Sequence, residues 1–125
     1  MISRPNLTPL AALLVGLGVA AGAFGAHALR DLLAPNLMNA YEKGVLYQLI
    51  HSIALLTLAQ STLSDPIVRR ASIFFISGVV IFSGSLYLLA ITGQRWLGAI
   101  TPIGGISFML GWAYLAYATR QSAQK

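Results

Sequence analysis

Four stretches without a charged side chain decide most of what this chain can fold into. Read off the gaps between Asp, Glu, Lys and Arg, they are residues 7–29, 44–62, 71–92 and 97–119, each 19 to 23 residues long. About 20 apolar residues, at 1.5 Å each along a helix, cross a hydrocarbon layer roughly 30 Å thick. A Lys, Arg or Asp at the centre of such a helix costs roughly 2.5 to 3.5 kcal/mol on insertion, so the exclusion of charge from all four runs reads as four membrane spans. Backbone groups at that depth have no water to bond, which leaves helices or a closed barrel, and the runs lack the alternation of barrel strands. The expectation is all-α: a single transmembrane domain over residues 1–125, an integral four-helix antiparallel bundle joined by short connections at 30–43, 63–70 and 93–96.

Composition agrees, because 57% hydrophobic against 9% charged residues is more apolar surface than a soluble core of this length can hide. The net charge of +5 comes from Lys and Arg at the ends of the runs, which suits a bilayer surface as partner and argues against nucleic acid. Arg4, Arg69, Arg70, Arg120 and Lys125 fall on the side shared by the two termini, and Arg30, Lys43 and Arg95 on the other, so the basic bias places both termini in the cytoplasm. Arg4, the apolar run from Leu10 to Ala23 and Ala26-His27-Ala28 also have the shape of a cleavable signal peptide. The run is long enough to span, which favours a retained helix.

Between spans one and two, Pro35 suits the first turn of a helix. Leu37, Met38 and Tyr41 then share a face opposite Asn36, Asn39 and Glu42, which reads as a short interfacial helix. Ser64-Asp65-Pro66 has turn chemistry, with Pro66 opening the third helix. Small residues mark helix packing: the GxxxG pair Gly18 and Gly22, then Gly25, Gly84, Gly104 and Gly105, and Gly111 paired with Ser107. Trp112, Tyr114 and Tyr117 are placed to anchor near the inner interface.

Reactive chemistry is sparse. There is no cysteine, no carboxylate within a run for a proton relay, no HExxH and no P-loop. Ser83, Ser85 and Tyr87 do not read as a hydrolase, since serines in membrane helices usually bond their own backbone. The expectation is no enzyme activity, no metal and no cofactor. The two histidines, His27 and His51, raise the question of a haem, but by helical rise they lie about 3 and about 10 Å from the ends of their runs. Interhelical hydrogen bonds are the expected role. Measured from one membrane face, His27, Tyr47, Gln48, His51, Ser85, Tyr87 and Thr101 all fall in the outer half. Around Leu10–Leu14, Leu55–Leu58 and Ile73–Ile76 the residues are almost all apolar. The expected geometry is one polar cluster joining His51, Gln48 and Tyr87 with Ser85 or Thr101, above a dry inner half.

GAFGAHAL at 22–29, YQLIH at 47–51, FSGSLYLL at 82–89 and TPIGGISFMLGW at 101–112 together resemble the YgdD/YwdK-like family of small bacterial membrane proteins, over nearly the whole chain. The matching positions are Gly22, Phe24, Gly25, His27, Tyr47, Gln48, His51, Gly84, Ser85, Tyr87, Thr101, Pro102, Gly104, Gly105, Gly111 and Trp112. Ala28 stands where the family usually has glycine, and Lys43-Gly44 where it has Thr-Ala. The resemblance implies a four-helix integral protein of the bacterial inner membrane, and supplies no substrate or cofactor. The leading functional expectation is a structural or accessory subunit that packs against other membrane protein or itself. The alternatives are a small-solute carrier or channel formed by an oligomer, with Gln48, His51 and Tyr87 lining the path, and a haem-binding membrane protein.

Overall fold

Prolines set the starts of the helices. The structure is a computed structural model that describes residues 2–125. Its long helices are α1 (Arg4–Leu29), α2 (Pro35–Gln60), α3 (Asp65–Thr92) and α4 (Thr101–Ala123), and among the described residues there are no strands. Each of the four has a proline at its first or second position, Pro5, Pro35, Pro66 and Pro102, where the missing N–H would have had no intrahelical partner. Helix α3 ends at Gly93, whose φ of 72° is the left-handed conformation that closes a helix without a Cβ clash. A 3₁₀ segment, Arg95–Ala99, then leads into α4.

Two stretches are wound as π-helix: the end of α1 at Gly25–Leu29 and the middle of α3 at Val79–Ser83. Residues 35–43 are the first turns of α2, continuous with the rest of it, where the sequence suggested a separate short helix. Gly44 stands at the junction, but it is packed under Tyr87 within the helix, and the chain continues from one part into the other.

By length and composition α1, α3 and the segment Arg95–Ala123 are each apolar enough to cross a membrane. Helix α2 is not among them, because Tyr47, Gln48, His51 and Ser52 lower its hydropathy. Its buried residues, at 41, 44, 45, 48, 51, 52, 55 and 58, form a helical stripe. That stripe holds the polar Gln48, His51 and Ser52, which face the other helices.

Helix α1 lies along α2, meeting it at Thr8 and Gln60, Gly18 and Leu49, Gly22 and Val45, and Gly25 and Tyr41. Residue numbers rise along one helix as they fall along the other. Helix α3 meets α2 where Tyr87 covers Gly44, and α4 where Phe108 covers Gly78 and Phe75 covers Gly111. Two apolar clusters result. The larger, at the end that carries Ile2 and Leu115, gathers Leu7, Leu55, Leu58, Val68 and Phe75, while the smaller gathers Tyr41, Val45 and Ala90 at the other end. The polar side chains lie mostly between them.

Candidate functional site

The polar residues form three separate hydrogen-bonded groups rather than the single cluster expected. In the first, Tyr87 donates its hydroxyl to Gln48 Oε1 at 2.7 Å, and Gln48 Nε2 donates to the Leu14 carbonyl at 2.8 Å. One buried amide therefore ties α1, α2 and α3 together. Ser85 and Thr101 form the second, hydroxyl to hydroxyl at 2.6 Å between α3 and α4.

His51 forms the third. Its Nδ1 lies 2.8 Å from the Tyr47 carbonyl, and Trp112 Nε1 donates to its Nε2 at 3.0 Å. The tautomer is fixed by the partners. A carbonyl only accepts, so Nδ1 carries the proton; an indole N–H only donates, so Nε2 is bare and the ring is neutral. The imidazole stacks on Phe108 with centroids 3.5 Å apart and planes 9° from parallel. Gln48 and His51 are three positions apart, which turns them about 60° from one another around α2, one toward α1 and α3 and the other toward α4. That rotation is why they do not share a network.

The remaining members are placed differently. Tyr47 lends its carbonyl to His51 and packs its ring on Phe82 at 4.7 Å, with the side chain at the surface. His27 is exposed in the π-wound end of α1 and joins none of the three groups. Its neighbour Gly25 packs on Tyr41, ten residues and about 15 Å along α2 from His51. The two histidines therefore do not face each other across a space that one iron could fill, and both ring nitrogens of His51 already have partners.

Glycines explain how side chains reach backbone carbonyls inside the bundle. A helical side chain leans toward the N-terminus and covers the carbonyl four residues back, so a glycine at i+4 uncovers it. Gly18 does this for Leu14, which accepts from Gln48, and Gly25 for Ala21, which accepts from Tyr41 at 2.5 Å. Gly78 does it for Phe74, which accepts from Ser107 at 2.7 Å. The same glycines seat rings: an added Cβ at Gly25 would touch Tyr41, at Gly44 Tyr87, at Gly78 Phe108 and at Gly111 Phe75. Among the expected packing glycines, Gly104 meets the backbone of Phe82 and Gly22 meets Val45, whereas Gly105 makes only ordinary contact and Gly84 has nothing within 4 Å.

Arg4 is the main residue whose partners the sequence reading missed. It is not a free topology charge: Nε bonds Asp65 Oδ1 at 2.5 Å, Nη1 reaches the Ser61 carbonyl at 2.8 Å and those of Leu58 and Ala59 at 3.4 Å, and Nη2 bonds the Leu63 carbonyl. The guanidinium caps the C-terminus of α2, where a cation also meets the negative end of the helix dipole. A signal was present, since an arginine in the first turn of α1 opposes that helix's own dipole and so points to a partner elsewhere. Ser83, which donates to the Gly44 carbonyl at 2.6 Å, and Ser107 were also missed as interhelical donors. The half of the bundle near the termini is mostly apolar but not free of hydroxyls: Ser72 is fully buried there, as Ser52 is near mid-helix, and neither has a hydrogen-bond partner.

Residues 21–105 match a family described as "Protein of unknown function (DUF423)". Relatives include a UPF0382 membrane protein of Staphylococcus epidermidis, 45% identical over 115 residues, which covers 91% of this chain and 94% of the relative. The UPF0382 inner membrane protein YgdD of Escherichia coli is 41% identical over 104 residues, covering 78% of this chain and 76% of its own. YwdK of Bacillus subtilis, also named a UPF0382 membrane protein, is 37% identical over 107 residues, covering 82% and 85%. No solved structure matches the chain. With its apolar helices, a family match over residues 21–105 and relatives that cover 78% to 91% of its length, the chain belongs to the DUF423 family of UPF0382 membrane proteins.

Proposed function

We propose that this protein is a structural or accessory subunit of the bacterial inner membrane, a non-enzymatic four-helix antiparallel bundle with both termini cytoplasmic and the first turns of α2 at the outer interface. One observation carries the reading: five of the seven candidate side chains, Gln48, His51, Ser85, Tyr87 and Thr101, are engaged in joining helices. Gln48 and Tyr41 bind α1 to α2, Tyr87 and Ser83 bind α2 to α3, Trp112 binds α4 to α2, and Ser85 and Ser107 bind α3 to α4. Each bond closes a helix pair, where a transport path or catalytic centre needs polar atoms turned toward a guest. The flanking helices carry the faces for a partner, with Leu13, Leu17 and Phe24 exposed on α1 and Ile103, Ile106 and Met109 on α4.

Photo-crosslinkers at Leu17 and Ile106 in living membranes test this. The expected result is one recurring membrane-protein adduct from at least one of these faces and none from buried Leu55. Adducts to lipid alone from both positions would overturn it. The carrier alternative has its own observation, a groove open to the side between α2 and α4 with His51 and Trp112 in its wall. A closed homo-oligomer crosslinked through that groove would favour it.

A further inference from the structure

At the end of the bundle that holds Arg4, a cleft of about 580 Å³ opens between the starts of α1 and α3. Ile2, Pro5, Leu7, Pro66 and Val68 form the apolar part of its lining, and Arg4, Asp65 and Arg69 the charged part. The ordinary partner of Arg69 would be Asp65, four residues earlier on the same helix. Asp65 is instead bonded to Arg4, the one ion pair among the described residues. Arg4 in turn is held by the carbonyls that end α2. The exchange ties up the cleft's carboxylate with Arg4 and leaves Arg69 as its one lining cation outside an ion pair among the described residues, and Arg70 adds a second cation next in sequence.

We propose that this cleft binds the headgroup and first acyl carbons of an anionic phospholipid, with the phosphodiester on Arg69 and the chains against Ile2, Pro5 and Pro66. The cleft lies at helix ends in a protein whose family is membrane-embedded, so its mouth is level with headgroups. A guanidinium is suited to phosphate, with paired donors that match two oxygens. An apolar wall beneath a cationic rim matches a lipid better than it matches a soluble anion.

Native mass spectrometry of the full chain, released from mild detergent with equal phosphatidylglycerol and phosphatidylethanolamine, tests the proposal. The wild type is expected to retain phosphatidylglycerol about fivefold over the zwitterionic lipid, the factor expected of one basic contact at a membrane surface. Arg69→Gln should abolish the preference, Arg69→Lys should keep part of it, and Arg120→Gln, the same charge change on α4 outside the cleft, should leave it intact. Equal retention of the two lipids by the wild type overturns the proposal without need of any variant. So does an equal loss in Arg120→Gln, which would mean diffuse charge attraction, and so does displacement of the lipid by millimolar inorganic phosphate, which would mean a soluble-anion site.

Discussion

His51 and Trp112 hold one another by a bond with a single possible direction, since indole donates and the bare imidazole nitrogen accepts. Trp112→Phe keeps the ring and removes only the donor. It is expected to lower stability by about 1 kcal/mol, within the range measured for hydrogen bonds between membrane helices, and to do so no further in a His51→Ala background. Reversible unfolding in mixed micelles would read both values, and additive losses would show that the bond contributes nothing. The buried hydroxyls of Ser52 and Ser72 run the other way. With no partner in the fold they oppose it, so Ser72→Ala should leave stability unchanged or raise it by up to about 1 kcal/mol. A loss from Ser72→Ala in the same assay would mean that the hydroxyl does have a partner in the membrane. Among glycines, Gly104→Ala presses a methyl on the Phe82 backbone, which cannot rotate away, and should cost about 1 to 3 kcal/mol. Gly84→Ala meets open space and should be harmless. Equal effects of the two alanines would show that the α3–α4 approach is wrongly placed.

At the scale of elements, the π turn in α3 decides which way the end of that helix faces. It takes up one extra residue between Val79 and Ser83, and beyond it Ser85 meets Thr101 and Tyr87 meets Gln48. Removing that residue lets the segment return to α-helix without turning the C-terminal part of α3. Deletion of exposed Val80 is therefore expected to be tolerated, whereas deletion of Ile73, in regular α-helix, turns one part of α3 by about 100° against the other and should prevent folding. Yield of monodisperse protein in detergent separates the cases, and failure of both deletions alike would deny the π turn this role. Arg4 acts on another element. Arg4→Lys keeps the charge but not the fork that serves several carbonyls, so faster hydrogen exchange is expected in the α2–α3 connection, with the middle of α2 unaffected.

The whole molecule is organised around the polar stripe of α2, which turns Gln48, His51 and Ser52 toward the neighbouring helices. Its proposed topology has a direct test. Compartment reporters fused after Lys125 and inserted within residues 30–34 should report opposite sides, the carboxyl terminus cytoplasmic. A periplasmic carboxyl terminus would reverse the orientation and leave the packing as described.

Properties that each segment settles alone are readable from the chain before it folds. Charge is excluded from apolar depth and backbone groups must bond locally, so the four runs, their helical state and the prolines that open the helices are all legible residue by residue. The ordered motifs carried the family in the same way. How each helix is turned about its axis follows from packing between helices alone. In a membrane protein the outside is as apolar as the core, so hydrophobic periodicity does not point inward as it does in water. Nothing local could tell that Gln48 turns to Leu14 and His51 to Trp112, that His27 stays at the surface, or that Gly78 seats a ring while Gly84 seats none. Those choices rest on many small contacts between segments far apart in the chain, and they exist only once the helices have met.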